Sequence, residues 1–548
     1  MNADRELDLA DIQGNILQDF VSGYPAARFF LLKIANAYKG RQFVLEYRAK
    51  VTTALRWASS GAFTQKIQQT KPDVTINIGF TFWGLYALEL PTRTLSRLPA
   101  EFIDGMKKRA PILGDSVNVG NTGMAGQLVD AVQQWDPVWQ LERETHIVIG
   151  LNSGIDPGGN PLPEMERETK QLQDLCAKYE LEILKGHDKN GASYQDACAL
   201  LAPNTAPNGA NDKQTMANNR ATGCHPTPRE HFGFIDGISN PVFEGQFGSP
   251  WADFEMSIGN GKLLPAKTGQ DPLDPERWAP LATGEFLLGY PDEAQEIADM
   301  AAPNQIMRNG TFMVFRKLHE NVKSFHDYFD QAAAVYAKAN AMPVADACAI
   351  LKAKMAGRWE DGVPVAVAPT IAEWRQFEEK HKGDLTDHAY TNFIYSDDKA
   401  GAKCPVASHM RRANTRDGLN GFSSALNNRR RVLRRGQPYG KTTMDDGGDH
   451  GIIFLIMCAD LGRQWEFVQQ QWINYGLDSN AGNDTCPIVG NREGGDAKFI
   501  IPVDPNGEQT PFVAAGLPQF IETRGGDYFF LPSMTALRMI GMGIIDPT

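Results

Sequence analysis

The chain reads as an α+β protein of two sandwiches with similar grammar, the second broken by large loop insertions. Apolar segments of period two alternate with segments of period 3.6. That alternation runs through the chain twice, with polar stretches between the runs. In the first run, "ARFFLLKIAN" (27–36) is expected as a strand, and Phe43, Leu45, Tyr47, Val51, Leu55 and Trp57 are spaced as a helix over 42–60. "TINIGFTFWGLYAL" (75–88) is rich in strand formers, 96–110 returns to helix, and "THIVIGLN" (145–152) is a strand. A helix over 163–180 and a strand over 181–188 bring the order close to β-α-β-β-α-β. Residues 189–228 are Asn, Ala, Pro and Gly-rich without a period, which predicts a surface insertion. The second run takes 284–291 and 310–318 as strands, 322–340 as helix, 451–459 as strand, 460–474 as helix and 525–533 as a final strand. Polar loops interrupt it near 392–430 and 478–512. A boundary falls between about 240 and 285, giving units 1–240 and 241–548.

At 548 residues the chain exceeds one typical domain and can enclose a sizeable ligand. Its net charge of −12 argues against a nucleic-acid partner, since phosphate backbones need clustered cations. The opening "MNADRELDLADIQGNILQDF" lacks a basic n-region and an apolar core. The longest apolar run, "IIFLIMCA" (452–459), falls well short of the ~20 residues of a membrane span. Seven scattered cysteines never form C-x-x-C, so a disulfide framework, a zinc ribbon and covalently attached haem are unsupported. These features predict a cytoplasmic protein with reduced thiols and no membrane partner. They leave open whether copies of it assemble.

Three segments carry chemistry. "GFIDGISNP" (233–241) sets Asp236 in an apolar run; Asp-Gly is also a common tight turn. "EFIDG" (101–105) repeats the tetrapeptide in a context that reads as an ordinary helix. "CPVASHMRRANTR" (404–416) puts His409 before three arginines. Nearby cations keep an imidazole neutral, the form that ligates metal, and arginines hold carboxylates bidentately. One histidine with such arginines is what a haem pocket requires; a basic surface loop is the other reading. "RRRVLRRGQPYG" (429–440) predicts a strand end turning at Gly436, aiming an arginine into a cavity, or else a solvated edge that resists pairing.

"DIQGNIL", "GFIDG", "HMRRANTR", "RRGQPYG" and "GIIF" occur in this order, from about residue 9 to the final strand. Together they resemble the dye-decolourising haem peroxidases, and the length and insertions are similar to the longer bacterial subgroup called C-type or V-type. Thr415 stands where such proteins often have proline. The resemblance implies two ferredoxin-like domains, as in a dimeric α+β barrel, with haem b in the second. It implies His409 as the axial iron ligand, Asp236 as the distal acid and Arg434 as the distal arginine. Ile235, Gly237, Ile452 and Phe454 would meet the haem, Arg411 and Arg416 its propionates, and Tyr439 would pass electrons to the surface. Hydrogen peroxide and aromatic one-electron donors are the implied reactants. Asp236 would move a proton between the peroxide oxygens, and Arg434 would stabilise the charge that develops. His231 is expected to be structural, and Trp465 and Trp472 to be packing residues. The free nitrogen of His409 needs a partner, for which Asp445, Asp446 and Asp449 are candidates. A haem-binding or haem-handling protein with little turnover is the alternative. A chlorite-decomposing enzyme would share the fold and axial histidine but would not need Asp236.

Overall fold

The computed structural model describes all residues except 1–6, 21–22, 58–69, 116, 119–127, 130, 204–222, 299–303, 420–422, 483, 493–496 and 545–548. In the first half the order is β1 (Ala26–Ile34), α1 (Ala37–Tyr47), β2 (Val74–Phe80), α2 (Ala100–Leu113), β3 (Ile147–Ser153), α3 (Pro163–Lys178) and β4 (Leu181–Ile183). β1 pairs antiparallel with β3 and β4, and β2 pairs with β3, giving the spatial order β2-β3-β1-β4. A further strand, β5 (Gln195–Cys198), also pairs with β1.

The second half repeats this plan. β6 (Thr311–Glu320) leads into α4 (Val322–Asn340) and α5 (Val344–Ala356); α6 (His409–Ala413) follows. Then come β7 (Leu433–Arg434), β8 (Gln437–Tyr439), β9 (Gly451–Cys458) and β10 (Ile521–Leu531). β7 and β8 pair with β9, and β9 and β10 flank β6, so the spatial order mirrors that of the first half. The two sheets join where Phe530 of β10 bridges Phe80 of β2. Gln13 reinforces this seam: its amide donates to Ile78 O at 2.9 Å and Pro532 O at 2.8 Å, and its carbonyl accepts from Ile78 N. At the far ends, Gln437 of β8 donates to Pro25 O at 2.8 Å and accepts from Asn152 of β3. The ten strands thus curl toward a closed barrel, the ferredoxin-like α+β arrangement the resemblance implied.

One apolar core fills the barrel and packs α1, α2 and α3 against it, with Phe30, Phe43, Tyr47, Met106, Leu151 and Leu172 all nearly inaccessible. A second core, with Phe325, Phe329, Trp359 and Phe520, lies under α4, α5 and the inserted segments.

Several expected elements differ. The first helix is Ala37–Tyr47, not 42–60, because Asn36 caps it by accepting from Lys39 N at 3.0 Å; residues 58–60 lie outside the described residues. Phe82–Ala87, expected as strand, is a short helix capped by Thr81. Residues 284–291 form no strand: Thr283–Glu285 is a single tight turn and Phe286–Leu288 are buried beyond it. Within 189–228, β5 belongs to the barrel sheet, and 204–222 lie outside the described residues. The helix over 460–474 is present but wound more widely than an α-helix, as Leu461–Glu466 and Val468–Ile473.

Candidate functional site

A cavity of about 360 Å³ opens between the sheet of the second half and the helices over it. Strand alternation builds one wall. Ile452, Phe454 and Ile456 of β9 line the cavity, whereas Ile453, Leu455 and Met457 point into the barrel core. Val468 and Ile473 of the wide helix, with Ile488 and Val489, extend the apolar lining.

Asp236 and Arg434 reach this cavity as a pair. Asp236 Oδ1 accepts from Arg434 Nη1 at 2.7 Å and from Gly237 N at 2.6 Å. The same loop holds the arginine twice more: Arg434 Nη2 donates to Ile238 O at 2.7 Å, and Arg434 N to Asn240 Oδ1 at 3.1 Å. The Asp236 side chain is 42% accessible, and that surface faces the cavity, for the surrounding protein strips the carboxyl of bulk water. Burial alone would raise its pKa, but the Arg434 guanidinium and the Gly237 N–H outweigh it and hold the carboxyl below its usual range. Gly233 and Gly237 have φ of 101° and 87°, and a Cβ on Gly237 would meet nothing. Backbone conformation, rather than close approach, requires glycine there.

His409 opens α6 and lines the same cavity. Ser408, before it, anchors the turn by donating to Lys354 O. His409 Nδ1 lies 3.3 Å from the Sγ of Cys486, which leaves Nε2 free among the described residues. None of the three acidic candidates meets this ring. Asp446 caps α4 through Lys323 N and Ser324 N, Asp445 accepts from Gly447 N, and Asp449 lies 3.4 Å from Lys317 Nζ. Burial would raise the Cys486 thiol, but His409 and Arg412 beside it bring it down to about 6.

Residues 11–161 match the family model described as the DyP dimeric alpha+beta barrel domain. Along nearly its whole length the chain is similar to Peroxidase 2 of Mycetinis scorodonius, 23% identical over 97% of this chain and 87% of that protein. The dye-decolorizing peroxidase of Mycena epipterygia is 25% identical over 98% and 88%. Residues 11–161 thus match a DyP barrel domain, and the chain along its length is similar to dye-decolorizing peroxidases. The multifunctional dye peroxidase DyP2 of Amycolatopsis is 28% identical over 57% of this chain and 61% of that one. The fold agrees: a DyP crystal structure superposes with a TM-score of 0.69 at 22% identity, covering 98% of this chain and 99% of that one. A fungal DyP-type peroxidase from Auricularia auricula-judae gives 0.68 at 20% identity, covering 98% and 99%.

Haem is the group that similarity to DyP-type peroxidases implies, and the cavity's donor set fits it. Three buried arginines, Arg358, Arg416 and Arg431, line the cavity and, among the described residues, donate only to neutral oxygens and, for Arg358, the Met410 sulfur. Arg358 bonds Gly362 O, Tyr390 O and Ser239 Oγ, and Arg416 bonds Phe393 O while stacking on the Phe393 ring. Burial lowers all three, to about 9, 10 and 9, with neighbouring guanidiniums adding to it for Arg358 and Arg431. Cations held this deep without anions suit a ligand that brings carboxylates.

Of the residues expected to meet the haem, Ile235, Ile452, Phe454 and Arg416 line the cavity and Gly237 does not. Arg411 is also elsewhere, on the other side of its helical turn, bound to Asp398 Oδ2 at 3.1 Å and Cys404 O at 2.6 Å. Tyr439 is 1% exposed, away from the lining, with Lys317 Nζ 4.7 Å above its ring. His231 is structural as expected, bonding Thr442 Oγ1 and Tyr439 O. Trp465 and Trp472 are buried, but Trp465 also lines the cavity. Arg358, Arg431, Glu230, Glu320 and Cys486 were not anticipated. Only the arginine run 429–435 hinted at one of them, and it is no solvated edge. Arg429 pairs with Asp292, Arg430 stacks on Phe467, Arg431 and Arg434 enter the cavity, and Arg435 bonds Asn15 O and Ile16 O.

Proposed function

We propose that the chain is a cytoplasmic haem b peroxidase that reduces hydrogen peroxide and oxidises dyes, phenols and other one-electron aromatic donors. The observation that supports it is the meeting, in one apolar cavity, of a histidine with a free Nε2, an Asp–Arg pair and three arginines without anions. The similar proteins are named dye-decolorizing peroxidases, and one similar structure is a complex with 2,6-dimethoxyphenol. Length and insertions alone favour the longer bacterial C-type or V-type subgroup, and we retain the division at 240/241 as the domain organisation.

In this reading His409 holds iron through Nε2, and Nδ1 gives its hydrogen to Cys486 Sγ, which fixes the ring's tautomer and orientation. Arg358, Arg416 and Arg431 take the carboxylates of the macrocycle. The haem, when bound, supplies the redox-active iron at which peroxide is cleaved. Asp236 Oδ1 is occupied by Arg434 and Gly237, so Oδ2 takes the proton from one peroxide oxygen and returns it to the other as water leaves. Arg434 keeps the carboxylate ionised and offers fixed positive charge to the departing oxygen. Bulky dyes exceed this cavity, so their electrons enter through buried aromatics, with Tyr439 the relay candidate and Trp465 a second at the wall.

Absorption spectra of the purified protein with and without peroxide test this function. A Soret band that shifts on adding peroxide, with dye turnover, is expected. A Soret band without a shift would leave the haem-handling alternative, and failure to bind added hemin would end both.

A further inference from the structure

Glu230 and Glu320 also line the cavity, and the reaction above gives them no task. Glu320, at the end of β6, is 1% exposed, and its Oε2 is buried without a hydrogen-bond partner among the described residues. Glu230 spends both oxygens on the loop that carries Asp236: Oε2 accepts from Phe232 N and Oε1 from Phe234 N, each at 2.7 Å. The two carboxyls lie within hydrogen-bonding reach of each other. A bond between them needs a proton, and Glu230 already accepts at both oxygens, so Glu320 is the acid. The charges felt most strongly by the pair are its own and that of Asp236, all negative, so two ionised groups there would be costly. Behind them, Glu320 N donates to His450 O at 3.3 Å. The His450 ring is fully buried with both nitrogens unpartnered among the described residues, 5.3 Å from the rings of His231 and His319.

Converting one peroxide to two waters consumes two electrons and two protons, H2O2 + 2 e⁻ + 2 H⁺ → 2 H2O. A phenol releases a proton with each electron it gives. A dye that gives only electrons from the protein surface does not, and its turnover needs protons by another route. We propose that Glu320 and Glu230 form a proton relay that supplies Asp236. Glu320 gives its proton toward the Asp236 side of the cavity, and a solvent proton arriving past His450 replaces it. This rests on the peroxidase reading.

Infrared spectra of the full-length protein, and turnover with two donors, test the relay. The parent should show the carbonyl stretch of a protonated carboxylic acid at neutral pH, and Glu320→Gln should lose it. With the electron-only azino-sulfonate dye ABTS, Glu320→Gln should turn over about 10-fold more slowly, below the 10²–10⁴ of a directly acting group. With 2,6-dimethoxyphenol it should stay within about twofold of the parent. If the variant does not bind haem, Glu230→Gln is read by the same two measurements, with the same donor split expected. Absence of the acid band in the parent, or its persistence in Glu320→Gln, overturns the relay alone. Equal slowing with both donors reduces the pair to a structural role and also overturns it. An intact band in a parent inert toward peroxide overturns the relay together with the reaction it serves.

Discussion

The two halves of the barrel share one strand order, yet the chamber of about 360 Å³ is built against the second. In the first half, α1 and α3 lie directly on the sheet, and Phe43, Tyr47 and Leu172 fill the space beneath them. In the second, the inserted segments carry their own core, and the wide helix and α6 form a wall facing β9 across a gap. The same faces of the same strand plan are packed in one case and left as cavity lining in the other. Chemistry here comes from insertions that hold helices off a sheet, not from the sheet itself.

The largest effect that separates the halves should come from His409→Ala. Haem retention should fall by more than the roughly 10–100-fold that loss of an outer partner costs, as read by the Soret band after gel filtration. Leu151→Ala in the first half should instead lower thermal stability, by about 2–5 kcal/mol, with haem uptake intact. If Leu151→Ala abolished haem uptake while folded, the division of labour would be wrong.

Next comes Asp236→Asn, expected to slow reaction with peroxide by about 10²–10⁴-fold in stopped-flow measurements. Because Arg434 depresses the Asp236 carboxyl, its basic form persists as pH falls and is lost only below the ordinary carboxylate range. The parent rate should therefore stay level through pH ~6.5, where an unperturbed histidine base would fail. A fall in rate near that pH would point to an imidazole instead.

Cys486→Ala should be milder, weakening haem retention by at most about 10–100-fold, because the ring loses only its orienting acceptor. Cys486→Ser should raise the iron reduction potential in spectroelectrochemistry, since a neutral hydroxyl accepts the Nδ1 hydrogen less strongly than a thiol brought down to about 6. An unchanged potential would show that the sulfur does not bond the ring.

The smallest effects concern the aromatics. Tyr439→Phe and Trp465→Phe should leave the peroxide reaction within about twofold and slow bulky dyes more than that. Whichever slows them more marks the route.

Much of this was legible. Period-two apolar runs marked the long strands of both halves, and short motifs marked Asp236, His409 and Arg434, although distant segments hold the latter two: the 236–240 loop holds Arg434 and Cys486 holds His409. The misplaced elements were short ones governed by caps. Asn36 and Thr81 each start a helix that apolar spacing alone missed. Phe286–Leu288 shows that a brief apolar run can be a buried turn. The missing site residues share a different cause. Arg358, Glu320 and Cys486 come from distant elements and meet their partners only through the fold, so nothing beside them in the chain signals their task.

The seam at Phe80 and Phe530 has a consequence for how the molecule is made. The strand that closes it is the last of the ten to leave the ribosome, while β2 emerges early. At ordinary synthesis speeds of about 5–20 residues per second, one border of the nascent first half waits on the order of tens of seconds for its partner. During that interval the exposed border is open to strands of neighbouring chains, which makes translation speed and chaperone supply determinants of the yield of intact protein.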